Sequence, residues 1–143
     1  MNERFGTVVL DTAFRFVIPF VMLYGVYVLI NGESSPGGGF QAGALLAIAV
    51  VLSRLVQGEK AVFNISGNTA LILAGIGTFL YGFVGVLTLC WGGNFLEYGI
   101  SPWAMLAAEK HALGILGIEI GVTLCVMATI IAIFDALTRK EEV

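Results

Sequence analysis

The chain has 143 residues, 58% of them hydrophobic and 12% charged, and its mean hydropathy is +0.95. A soluble domain carries about a quarter charged residues, so no water-facing surface can be built from this composition. Four helices of about 20 residues, the length that crosses a hydrocarbon layer of about 30 Å, use up most of the chain and leave little for a catalytic headpiece. The formal net charge of −3 comes from scattered acids, which argues against a nucleic-acid partner.

The first predicted span covers 8–30. Its apolar run contains Asp11 and Arg15 and is followed by Glu33-Ser34-Ser35-Pro36 rather than by a small-x-small cleavage site, so it reads as a retained helix and not a signal peptide. Asp11 and Arg15 are four apart and would form an ion pair on one helical face near the boundary, or simply anchor the helix there. Pro19, inside this span, is expected to kink the helix, since neighbouring groups in a membrane can satisfy the freed carbonyl. The turn-forming run Asn31 to Gly39 must be a connection.

The second span, 40–56, is short and ends at Arg54; it crosses with little tilt or begins inside a protein-lined recess. A polar loop with Glu59 and Lys60 leads to the third span, 69–91, which holds Gly75, Gly82 and Gly85. In the connection that follows, Trp91, Tyr98 and Trp103 suit an interfacial belt. The fourth span, 111–134, precedes the polar tail Arg139-Lys140-Glu141-Glu142. The expected fold is all-α, one membrane domain over 1–143.

With four spans, Arg4, Arg15, Arg54, Lys60, Arg139 and Lys140 fall on one side and Lys110 on the other. By the positive-inside rule both termini face the cytoplasm. Cys90 and Cys125 have no partner at ligand spacing and the chain has one histidine, so neither a disulfide framework nor a metal site is expected. No catalytic residues are predicted.

Glu119 is the most informative residue. It lies eight positions into the predicted fourth span, about 12 Å below His111 and so near the bilayer centre. A carboxylate there costs about 2.5–3.5 kcal/mol to insert, so it must face protein or water. Two readings stand side by side: a proton or sodium contact, or a protonated carboxyl that hydrogen-bonds a neighbouring helix. His111 is about 80° around the helix from Glu119 and is either an outer relay group or an interfacial residue. Gly114, Gly117 and Gly121 allow another helix to approach closely and set Glu119 against a protein interface.

The most distinctive run is Pro36-Gly37-Gly38-Gly39-Phe40-Gln41-Ala42-Gly43. Its glycines permit tight turning with positive φ. A phosphate-binding loop is the rival reading, disfavoured because no Lys-Ser/Thr follows and no strand precedes. The run is expected to expose rigid backbone at the start of the second helix, where a partner subunit docks through Pro36, Gly37, Gly38, Gly39, Phe40 and Gln41.

On this run, on His111-x-x-Gly114-x-x-x-x-Glu119-x-Gly121-Val122, and on Asn94-Phe95-Leu96-Glu97-Tyr98, the chain resembles the MnhB/MrpB family over nearly its whole length. It departs after Gly32, where many members carry a His-Asn pair and this chain has Glu33-Ser34. The resemblance implies a multi-pass subunit of the prokaryotic cytoplasmic membrane, without a cofactor of its own. It would sit among other Mrp-type antiporter subunits and lipid in an assembly that moves Na+ and H+. The same module is implied in membrane-bound hydrogenase and sulfur-reducing complexes. Rival readings are a spacer subunit with no ion contact and a stand-alone transporter, the latter disfavoured by the lack of an internal repeat.

Overall fold

A computed structural model describes residues 8–34, 37–58, 61 and 63–138. These form four helices: α1 (Val8–Ile30), α2 (Gly39–Gln57), α3 (Gly67–Cys90) and α4 (Ala107–Thr138), with a 3-10 turn at Tyr98–Ile100. All four are long and apolar enough to cross a membrane, and no strand occurs among the described residues. The expected all-α membrane fold is what the chain adopts.

Local chemistry sets the helix limits. Pro19 lies within α1 without ending it. The hydroxyl of Ser66 accepts from Thr69 N at the start of α3, the usual way a serine satisfies an orphan amide of the first turn. Gly58 closes α2 at φ +58°, its N–H donating to Arg54 O, a conformation that favours glycine. α4 begins before its continuous apolar run because the Glu109 carboxylate accepts from Leu106 N at 3.2 Å, half of a capping box. That adds a turn to the start predicted at 111, and at 1.5 Å per residue the 32 residues of α4 run about 48 Å.

The helices lie in a row, α1 on α2, α2 on α4 and α4 on α3. α4 is therefore the spine, and small residues bring its two neighbours against it. On the α3 side, a Cβ built at Gly121 would lie 2.9 Å from Gly77 O, and one at Gly77 would lie 2.5 Å from Cys125 N. On the α2 side, a Cβ at Gly43 would lie 2.7 Å from Thr123 O, and Thr123 Oγ1 donates to Gly39 O at 3.0 Å across the same crossing. Ala47, Val50, Ala70 and Ile131 form the buried core, with Met22 of α1 packed against it. Gly75 and Gly82 of α3, by contrast, face open space.

The row is not flush at its ends. Arg54, Gly67 and Asp135 share one level through direct hydrogen bonds. At the opposite end the α1–α2 connection meets α4 at Glu119, twelve residues inside the start of α4. That connection therefore stops about 18 Å short of the α4 N-terminus.

The Gly77–Gly121 crossing leaves no room for a side chain. Gly121→Leu is expected to lower stability by about 1–3 kcal/mol through overpacking, read as a lower melting temperature of the detergent-purified protein, whereas Gly75→Ala should leave that temperature unchanged or raise it.

Candidate ion-contact site at the α1–α2 connection

Glu119 projects from α4 into backbone. A Cβ at Gly32 would collide with both of its carboxylate oxygens, one at Gly38 would lie 2.7 Å from Oε1, and one at Gly39 would lie 2.5 Å from Glu119 O. The glycines at 38 and 39 are thus required by close approach to α4. Neither uses the positive φ open to glycine, since Gly38 is extended at φ −150° and Gly39 is the first residue of α2. Gly37 serves differently, with Gln41 Oε1 and Val28 Cγ1 occupying the space its side chain would need.

One side of the carboxylate remains open. A cleft of about 180 Å³ is lined by Ile30, Glu33, Ala112, Leu113, Ile115, Leu116 and Glu119. Among the described residues the Glu119 carboxylate makes no hydrogen bond and no ion pair, an unusual condition for a half-buried acid. Glu119 stands sixteen residues, about 24 Å, from the level of Asp135, and α3, which starts at that level, carries no charge along its 24 residues.

His111 is not brought to this cleft. Its ring meets Tyr98 edge-on, with centroids 6.2 Å apart, and a Cβ at Gly99 would lie 3.4 Å from Nε2. The 80° offset is enough to turn His111 to the 3-10 turn and Glu119 to the α1–α2 connection. Tyr98 also covers Gly114, where its ring fills the space of a side chain, and its phenol pKa is raised, chiefly by burial and secondarily by Tyr81. Gly117 faces Val84 at 3.4 Å from a built Cβ, and Gly121 meets Gly77.

The Asp11–Arg15 pair forms at 3.2 Å with side chains 36% and 64% exposed, so it contributes only about 0.3–0.5 kcal/mol. In the predicted docking turn, Phe40 is 66% exposed and Gln41 is exposed, whereas Gly39 is buried against α4. Pro36 lies outside the described residues.

Two further groups carry no motif in the sequence. Arg54, which reads there as a boundary charge, pairs with Asp135 at 2.7 Å, with side chains 18% and 15% exposed. Its other guanidinium nitrogen donates to Ile65 O at 3.3 Å, while Asp135 Oδ2 accepts from Gly67 N at 3.0 Å. One pair thus ties the ends of α2 and α4 to the N-terminus of α3, where a carboxylate is favoured by the helix dipole. The clue available in the sequence is a single charge closing each of two apolar runs. The second group is at the other end, where Thr88 Oγ1 accepts from Leu96 N at 2.9 Å and Glu97 accepts from Asn94 N at 2.7 Å. These bonds hold Leu96 at φ +67° and lay Phe95 over Gly85.

A family model described as a domain related to the MnhB subunit of Na+/H+ antiporter matches residues 9–132. The chain belongs to the MnhB family. Among curated MnhB relatives, a Na(+)/H(+) antiporter subunit of Bacillus subtilis is 28% identical over 99% of this chain and 100% of its own length. The putative antiporter subunit mnhB2 of Staphylococcus aureus is 26% identical over 92% of this chain and 94% of its own. A chain of the membrane-bound sulfane sulfur reductase, an archaeal respiratory membrane complex, superposes with a TM-score of 0.76 at 27% identity. That match covers 99% of this chain and 62% of the reductase chain. MnhB membership and four apolar helices together make this a multi-pass membrane protein, in prokaryotes of the cell membrane.

Removing Asp135 takes the carboxylate away from the largely buried Arg54 guanidinium. Asp135→Ala is expected to cost about 2–4 kcal/mol, somewhat below the cost at fully buried pairs because both side chains keep some exposure. The double variant Arg54→Met/Asp135→Leu should lose less than Asp135→Ala alone, as measured by chemical denaturation in detergent.

Proposed function

We propose that this chain is a non-catalytic subunit of an Mrp-type Na+/H+ antiporter module, assembled with other antiporter subunits, in which Glu119 contacts the transported proton or sodium ion. The module acts as a free antiporter or as part of a membrane-bound respiratory complex, hydrogenase or sulfur-reducing. The observation that carries this reading is a carboxylate with no partner among the described residues, wedged by glycine backbone on one side and open to a cleft on the other. A carboxylate in such a place can hold a proton or pair with a cation, but not both at once, and exchange between those states is what antiport requires.

In this reading the Arg54–Asp135 end faces the cytoplasm, following the excess of Lys and Arg assigned to that side. The Glu119 cleft then opens outward. The exposed Phe40 and Gln41, one turn from the glycines that hold Glu119, give a neighbouring subunit a contact through which its movements reach the carboxylate. His111, turned to Tyr98, takes an orienting role at the outer end of α4 and stands apart from the ion contact.

Glu119→Gln keeps the size of the side chain and removes the exchangeable charge. In membrane vesicles containing the assembled complex, this variant is expected to retain subunit stoichiometry and lose most Na+/H+ exchange. Wild-type exchange in a fully assembled Glu119→Gln complex would show that the chain is a spacer without an ion contact.

A further inference from the structure

α1 packs on α2 through Ile18, Gly25 and Val28, which are its buried residues. The opposite side of α1 presents Phe16, Phe20, Leu23, Tyr24, Tyr27 and Ile30, which are 58–69% exposed. At 100° per residue these six fall within an arc of about 120°, a stripe of aromatic and large aliphatic side chains along the helix. Lipid could cover an apolar stripe of this kind, but two of its members are not apolar.

Tyr24 and Tyr27 stack at 6.2 Å between ring centroids, and among the described residues neither hydroxyl makes a hydrogen bond. Their depth follows from the packing of α1 on α2. Gly25 sits against Leu46, and Leu46 is eight residues, about 12 Å, from Arg54 on α2. Arg54 and Asp135 lie at the charged boundary of the apolar row, so the two tyrosines stand roughly 10–15 Å inside a layer of about 30 Å. Tyrosine is suited to the interface, where its ring is in hydrocarbon and its hydroxyl reaches water. From mid-depth a phenol, about 6.5 Å from Cα to oxygen, cannot reach either boundary. In hydrocarbon the hydroxyls are left with no acceptor unless protein supplies one.

We propose that the Tyr24–Tyr27 face of α1 is the docking surface for a transmembrane helix of another subunit, one that offers acceptor groups, carboxylate, hydroxyl or exposed backbone carbonyl, to these two hydroxyls. The hydroxyls supply the donors, and an acceptor-bearing helix is the polar complement that acyl chains lack. The stripe ends at Ile30, which also lines the cleft beside Glu119. A helix seated on the stripe would therefore form a further wall of that cleft and close it against lipid.

The test uses the assembled complex in native membranes, with the photo-crosslinking residue p-benzoylphenylalanine at position 24 or 27. The expected result is a crosslink from both positions to one and the same membrane subunit. Adducts to lipid alone, or to unrelated polypeptides at the two positions, would overturn the proposal. Because crosslinking reports proximity only, the double variant Tyr24→Phe/Tyr27→Phe tests the hydroxyls separately. It should lower recovery of the partner subunit and shift the melting temperature of the complex downward; recovery and melting equal to wild type would refute the hydroxyl contacts. Neither readout depends on whether Glu119 carries an ion, since Glu119→Gln affects exchange while leaving the α1 face intact.

Discussion

Close backbone approach to α4 is the constraint on which the rest of the molecule depends. In hydrocarbon no hydrophobic force drives helices together, so association rests on packing and on the few polar contacts that cross between helices. Gly39 and Gly43 on one side and Gly77 with Gly121 on the other bring α2 and α3 to α4 at distances that any side chain would forbid. The Thr123–Gly39 hydrogen bond and the Arg54–Asp135 pair then fix the relative height of the helices. With that height fixed, the short pair α1 and α2 ends opposite the interior of α4, and the connection between them lands on Glu119.

The carboxylate owes its position to the same packing. Glu119 has its place because three glycines, Gly32, Gly38 and Gly39, leave it space. It is adjacent to Glu33 across a small cleft, and it is a single turn from the Thr123 contact that locks α2 in place. Movement of the α1–α2 connection would change the surroundings of the carboxylate directly, and Phe40 and Gln41 stand exposed beside it. A site of this kind belongs to an assembly more than to one chain, in keeping with relatives named as subunits.

Much of this architecture was legible in the amino-acid sequence, and the reasons are physical. Long apolar runs separated by polar turns specify spanning helices almost by length alone, and an acid inside such a run announces that something other than lipid faces it. What could not be read were quantities set by tertiary packing. The start of α4 is set by Glu109, which caps Leu106 outside the apolar run. The separation of His111 from Glu119 depended on which neighbour each side of α4 meets. The glycines of the α1–α2 connection were identifiable as special, yet their purpose, space for α4 in place of a left-handed turn, appears only with α4 beside them. Arg54 and Asp135 are 81 positions apart, and no local pattern joins them.

The central claim is that Glu119 changes its protonation or pairing when the complex meets its ions. Infrared difference spectroscopy of the purified, assembled complex, recorded on addition of Na+ at constant pH and assigned by comparison with Glu119→Gln, tests it most directly. The account predicts a sodium-induced carboxyl band that is present in the wild type and missing from the variant. Difference spectra that are identical in the two complexes would contradict it.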